Sequence, residues 1–229
     1  MSEVPIITID GPSGSGKGTI SRAVAAALGW ALLDSGALYR LVALAGRRGG
    51  IELDDGPALA GLAAGLRIRF GATPGGEEIV WLGADEVTRD IRTEAAGADA
   101  SRVAALPAVR AALLARQRAF AEPPGLVADG RDMGTVVFPA ASLKIFLTAS
   151  LEERARRRHN QLKEKGVAAT LAALSLEIAE RDKRDSSRSA SPLVASADAV
   201  VLDTTGTSVE AVVERVLRLA GARLARLRS

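Results

Sequence analysis

The stretch Ile6-Ile7-Thr8-Ile9-Asp10-Gly11-Pro12-Ser13-Gly14-Ser15-Gly16-Lys17-Gly18-Thr19 constrains this chain more than any other. An apolar run enters a loop with glycines at 11, 14, 16 and 18, and an Ala-rich helical pattern from Ile20 to Leu28 opens directly after it. Gly11, four residues, then Gly16-Lys17 is the spacing of a P-loop. Glycines let successive backbone N–H groups curl around a phosphate, and the helix N-terminus adds its dipole. Lys17 supplies a mobile point charge for the outer phosphates. Strand, loop, lysine and helix follow in an order that a flexible Gly/Ser turn does not require. The sequence therefore predicts a nucleoside triphosphate site made by Gly11, Pro12, Ser13, Gly14, Ser15, Gly16, Lys17, Gly18 and Thr19.

The position after the lysine is usually Ser or Thr, whose hydroxyl ligates Mg²⁺. Here it is Gly18, and the hydroxyl comes one residue later at Thr19. That form resembles the adenylate-kinase-like nucleoside monophosphate kinases more than the GTPases, and no base-reading Asn-Lys-x-Asp segment occurs. Mg²⁺ is then expected to be held mainly by phosphates and water, with no dedicated protein ligand.

At 229 residues the chain suits one large α/β domain, or a core with a small insertion. Cysteine is absent, which excludes disulfides and thiolate metal sites and fits a reducing, cytoplasmic setting. The N-terminus lacks the basic and apolar regions of a signal peptide. Uncharged stretches such as Ala23–Leu33 fall short of the ~20 residues needed to span a bilayer. The single histidine, His159, cannot anchor a metal site alone. A net charge of +3 and a pI near 9.7 invite a nucleic-acid reading. Yet the basic residues are spread along the chain, and four Phe, two Trp and one Tyr offer few platforms for bases. Small phosphorylated substrates fit better. No nucleic acid or membrane partner is expected, and the chain is read as a monomer.

Apolar strands alternating with helical patterns predict a parallel sheet covered on both faces. The expected strands are Ile6–Asp10, Ala31–Asp34, Leu126–Asp129, Leu143–Leu147 and Ala199–Asp203. Leu66–Phe70 alternates with period two, Thr73–Gly76 reads as a turn, and Glu78–Leu82 follows as a second strand. Residues 63–98 are therefore read as a small antiparallel insertion within a single domain spanning 1–229. Helices are expected over Arg102–Phe120, with Pro107 marking a helix start or a break between two helices, over Ala149–Lys165, over Leu171–Ser187 and over Ser208–Leu227.

Four further clusters carry chemistry. Asp34-Ser35 followed by Arg40 sits where a strand gives way to a helix, the edge at which active-site loops gather in open α/β sheets. Asp129-Gly130-Arg131-Asp132 ends the strand Leu126–Asp129, and an acid there can order Mg²⁺-bound water. On a helical wheel, Leu171, Leu174 and Ile178 form a stripe that continues into Arg181, Arg184, Asp185 and Arg188. Either this helix end projects into water, or its arginines and acid clamp a phosphate and a sugar hydroxyl. The basic run Arg154, Arg156, Arg157 and Arg158, in a lid region read as 151–168, allows two readings as well: a cation-bearing lid over ATP, or a solvated helix.

Taken together, Ile9–Gly14, Leu33–Ala37, Gln117–Phe120, Ala128–Pro139 and Arg181-Asp182 with Arg184-Asp185 resemble the bacterial cytidylate kinases. The resemblance spans nearly the whole chain and is weakest over Gly46–Gly61 and Thr73–Glu86. It implies a five-stranded parallel P-loop sheet flanked by helices, with an antiparallel nucleotide-binding insertion and a helical lid. It implies transfer of a phosphoryl group from ATP to CMP or dCMP. Gly11–Thr19 would hold ATP, and Ser35, Ser101, Arg110 and Asp132 would contact CMP, the last three reading the base. Arg40, Arg131 and Arg188 would grip the acceptor phosphate, and Arg181 and Asp185 the sugar. Lys17, Asp129, Arg131 and Arg188 are the expected catalytic set, with Arg154, Arg157 and Arg158 on the lid. Ser186-Ser187 departs from the family pattern, which often carries Arg or Asn after the acid.

Overall fold

A computed structural model of the chain describes residues 4–73, 78–164, 166–188 and 190–228. Residues 74–76 of the expected turn, and Lys165 at the end of the expected basic helix, lie outside the described residues. The chain separates into two compact units, one made by residues 1–34 and 118–229, the other by residues 35–117.

The first unit is built on a five-stranded sheet. Its strands are β1 (Ile6–Asp10), β2 (Ala31–Asp34), β6 (Leu126–Gly130), β7 (Leu143–Thr148) and β8 (Val200–Asp203), and their spatial order is β2-β6-β1-β7-β8. Every neighbouring pair runs parallel. β6 is buried along its whole length, as a continuously apolar strand in a parallel sheet should be. Helices α1 (Lys17–Leu28) and α8 (Val209–Arg228) bury Ile20, Val24, Val212 and Val216 against Ile7, Ile9, Val127 and Ile145. Trp30 packs on this core too, and its ring lies where a Cβ on Gly125 would stand, 2.4 Å away. Only a glycine permits that approach.

Helices α6 (Leu151–Glu164) and α7 (Leu171–Ser186) of the same unit pair through Ala155, Leu162, Leu174 and Ile178. The Thr170 hydroxyl caps α7 by accepting from Ala173 N at 3.2 Å. Leu174 and Ile178 are buried as the wheel predicts, but Leu171 is 49% exposed. It sits in the first turn, beyond the patch of α6 that covers the other two.

The second unit holds α2 (Ser35–Arg48), α3 (Gly56–Gly65), α4 (Glu94–Val103) and α5 (Pro107–Arg118), whose last residue passes into the first unit. It also holds a three-stranded antiparallel sheet, β3 (Ile68–Ala72), β4 (Glu78–Leu82) and β5 (Asp85–Glu86). β4 places Val80 against Ala37, Leu41, Val87 and Ile91. Trp81, on the same strand, carries the Arg69 guanidinium 3.7 Å from its ring centroid. The helix break falls at Ala104–Leu106, directly before Pro107. A parallel sheet flanked by helices with a small antiparallel sheet is the fold class that the sequence predicts.

Candidate nucleotide site

The loop from Gly11 to Gly16 joins β1 to α1 and turns through left-handed backbone at Gly14 (φ 77°) and Gly16 (φ 88°). Gly16 is the N-cap of α1 and provides no side-chain acceptor, so the first amides of the helix are left for another partner. Gly11 adopts φ 153°, and a Cβ there would lie 2.3 Å from the Leu147 carbonyl oxygen. The loop is thus pressed against β7 and admits no side chain at this point.

Parallel registry brings three acids to the carboxyl edge of the sheet, since Asp129 pairs with Asp34 on one side and Ile9, next to Asp10, on the other. The Asp129 carboxylate approaches the first turn of α1, where a Cβ on Gly18 would stand 3.3 Å from Oδ2. That approach gives a physical reason for glycine after the lysine. Burial pushes the Asp129 carboxyl up to about 6, against the pull of the Lys17 ammonium. Burial also brings Lys17 down to about 7, helped by the Arg131 guanidinium and opposed by Asp129. Lys17 Nζ rests on the Pro12 carbonyl at 3.1 Å.

Asp10, which the sequence reading passed over, accepts from Met133 N at 2.9 Å and from Gly134 N at 2.8 Å. It anchors the wide π-type turn Met133–Val137 that begins directly after Asp132, itself 2% exposed. Desolvation raises the Asp10 carboxyl to about 7, although those two N–H bonds oppose the rise. Its only outward sign was an acid closing an apolar strand.

Arg131 connects three elements. Its Nε donates to Asp185 Oδ2 on α7 at 3.0 Å, and its Nη1 to the Gly11 carbonyl at 2.6 Å. Arg188 pairs with the other Asp185 oxygen. Burial alone would raise the Asp185 carboxyl, but the guanidiniums of Arg131, Arg188 and Arg181 outweigh it and hold it below the ordinary carboxylate range. In the first unit the fold therefore gathers the loop, Lys17, Asp129, Arg131, Arg181, Asp185 and Arg188 into one electrostatic neighbourhood. Of the basic run on α6, Arg154 is 7% exposed and Arg157 donates Nη1 to Thr204 Oγ1 at 2.9 Å. Arg158 Nη1 donates to Gln161 at 3.1 Å.

The other expected residues belong to the second unit. Ser35 and Ser101 are buried on α2 and α4. Arg40 Nη1 donates to the Ile91 carbonyl at 2.6 Å and to that of Thr93 at 3.2 Å. Arg110 is 9% exposed, donates to the Ala104 carbonyl at 3.0 Å and lies 5.5 Å over the Tyr39 ring.

A family model described as "Cytidylate kinase" matches residues 7–222. The cytidylate kinase of Pseudomonas fluorescens strain SBW25 is 60% identical over 216 residues, 94% of either chain. That of Pseudomonas aeruginosa strain LESB58 is 61% identical over 217 residues, again 94% of either chain. Among solved structures, shikimate kinase from Acinetobacter baumannii in complex with shikimate aligns over 96% of this chain and 95% of its own. Its TM-score is 0.46 and its identity 15%.

Proposed function

This chain belongs to the cytidylate kinase family, and on that premise we propose that it transfers the γ-phosphoryl group of ATP to CMP or dCMP, giving ADP with CDP or dCDP. The observation that carries the reading is an identity near 60% sustained over 94% of both chains. The glycine loop with its uncapped helix start and the arginine–carboxylate cluster beside it support it.

On this reading Gly11–Thr19 takes the ATP phosphates. Arg40, Arg131 and Arg188 grip the acceptor phosphate, Arg181 and Asp185 hold the sugar, and Ser35 contacts the acceptor nucleotide. Ser101, Arg110 and Asp132 read the base. Mg²⁺ would accompany ATP, and the donor chemistry fits it: the buried Asp129 carboxylate beside α1 would order metal-bound water, with phosphates and water as the direct ligands. Bound there, the ion neutralises phosphate charge.

The acceptor phosphate has a second pKa near ~6 and is largely dianionic at neutral pH, so the reaction needs no strong general base. Catalysis then consists of positioning and charge neutralisation. Lys17 faces the outer phosphates of ATP, and Arg131 and Arg188, held in place by Asp185, face the incoming phosphate. An acceptor dianion competes with Asp185 for these guanidiniums and becomes a shared ligand of the cluster. Arg157 and Arg158 of α6 supply cations on the lid side, where water exclusion suppresses wasteful ATP hydrolysis.

Release of ADP measured across all nucleoside monophosphates, with an acceptor-free control, tests this reading. Turnover is expected with CMP and dCMP, weaker turnover with UMP, and almost none with purine monophosphates. Preference for AMP or UMP, or equal turnover without acceptor, would refute it.

A further inference from the structure

A loop that points its N–H groups inward points its carbonyls outward, and those carbonyls need partners of their own. Here each of four finds a donor. Gly11 O receives Arg131 Nη1, Pro12 O receives Lys17 Nζ, Ser13 O receives Arg154 Nη1 at 3.1 Å, and Ser15 O receives Thr204 Oγ1 at 3.1 Å. Arg154 is the most constrained of these donors. Its Nε donates to the Ala149 carbonyl at 3.1 Å and its Nη1 to Ser13 O, while Nη1 also forms an ion pair with Asp182 Oδ2 at 2.6 Å. The side chain is 8% exposed. The backbone of α6 also runs hard against the loop here, since a Cβ on Gly14 would stand 3.0 Å from that of Arg154.

Two features give this arrangement functional content. The Ser13 carbonyl and the Gly14 N–H belong to one planar peptide, so holding the oxygen outward holds that N–H inward. Asp182 lies on α7, adjacent to Arg181 and three residues before Asp185. A continuous path of contacts thus runs from α7 through Arg154 to the phosphate loop. A buried guanidinium is stable only when paired, and Asp182 is what keeps this one aimed at Ser13.

We propose that Arg154, anchored by Asp182, is a positioning residue that sets the orientation of the Ser13–Gly14 peptide for phosphate binding and does not itself touch the nucleotide. This differs from the lid role that the arginine run suggests, and it rests on the reading of Gly11–Thr19 as the ATP site. The guanidinium is held by protein groups through Nε and Nη1, and the loop contacts it through its outward face.

The test compares wild type, Arg154→Met, Asp182→Asn, Asp182→Glu and the Arg154→Met/Asp182→Asn double variant. Binding of a non-hydrolysable ATP analogue is followed by calorimetry without acceptor, and kcat and KM by ADP release. Arg154→Met is expected to weaken analogue binding about tenfold, the loss of one charge-assisted hydrogen bond, with kcat at saturating ATP within about threefold of wild type. Asp182→Asn should weaken binding in the same direction, Asp182→Glu should restore much of it, and the double variant should bind no worse than Arg154→Met. A fall in kcat of a hundredfold or more in Arg154→Met, with Asp182→Asn close to wild type, would mean that Arg154 contacts the transferring phosphoryl group and would overturn the proposal. Unchanged analogue binding in all variants alongside a lower Tm would also overturn it, leaving a structural tie. If wild type binds the analogue but does not phosphorylate CMP, the acceptor reading fails while the role of Arg154 stands. If wild type does not bind the analogue, both fail.

Discussion

Arg131 and Asp185, separated by 54 positions in the chain, meet with Nε and Oδ2 3.0 Å apart, and the same guanidinium reaches the Gly11 carbonyl. Asp185 is 1% exposed and serves as the common anion for Arg131 and Arg188, with Arg181 close enough to lower its pKa. Asp185→Asn would leave these buried cations facing a neutral amide, at a cost of about 3–5 kcal/mol in stability. An added phosphate should recover part of that loss by replacing the missing anion. Urea unfolding with and without inorganic phosphate is expected to show a larger ligand stabilisation in the variant than in wild type. Because the folded-state pKa is depressed, this carboxylate contributes stability above its ordinary pKa and loses it as the pH falls through the lower folded value. The variant should lack that acid-side loss.

The burial of Lys17 near Arg131 and Asp129 predicts a pH signature. Burial, then Arg131, brings Lys17 to about 7 from 10.5, so between these values the folded protein holds fewer protons than the unfolded chain. Stability from this group is present above the unfolded value and is lost as the pH falls toward about 7. ATP phosphates favour the charged ammonium, so ATP binding above that pH must take up a proton. Calorimetry in two buffers of different ionisation enthalpy should show proton uptake near pH 8, and an ATP affinity that declines as pH rises further. Lys17→Met should abolish the uptake and cut turnover by orders of magnitude while keeping the fold. Equal proton uptake in wild type and variant would remove Lys17 from this role.

Base choice should follow from Asp132, buried at the start of the turn that Asp10 anchors. A carboxylate accepts from the cytosine 4-amino group but faces a carbonyl oxygen in uracil, a penalty of ~1–3 kcal/mol. Asp132→Asn can donate to that carbonyl, so the ratio of kcat/KM for CMP over UMP should shrink by roughly tenfold. An unchanged ratio would mean that the base is read elsewhere.

Much of the fold was open to reading because it is written in local pattern. The apolar run Ile6–Asp10 with its glycine loop and the alternation in Leu66–Phe70 are local signals; the first stands as a strand over the same residues, the second as a strand two residues further on, Ile68–Ala72. The two-residue strand β5 and the short 3₁₀ turn Asp90–Arg92 are too brief to carry a period. Contacts between distant residues left no trace either. Arg154 and Ser13 are 141 positions apart, and nothing in the run of arginines marks that one of them is buried beneath the loop. Asp10 was hidden for a different reason, since its work is to receive backbone N–H groups from residues 133 and 134, which bear no side-chain signature. Leu171 followed the wheel but fell outside the apolar patch of α6, so its exposure is a matter of where the helix begins.

The two tryptophans of this chain are divided between the units: Trp30 lies against Gly125 in one, and Trp81 lies under Arg69 in the other. Each unit therefore carries its own optical reporter, and neither has to be engineered in. Trp81→Phe would leave ultraviolet emission from Trp30 alone, and Trp30→Phe would leave Trp81 alone. With the pair, the melting of one unit can be timed against that of the other.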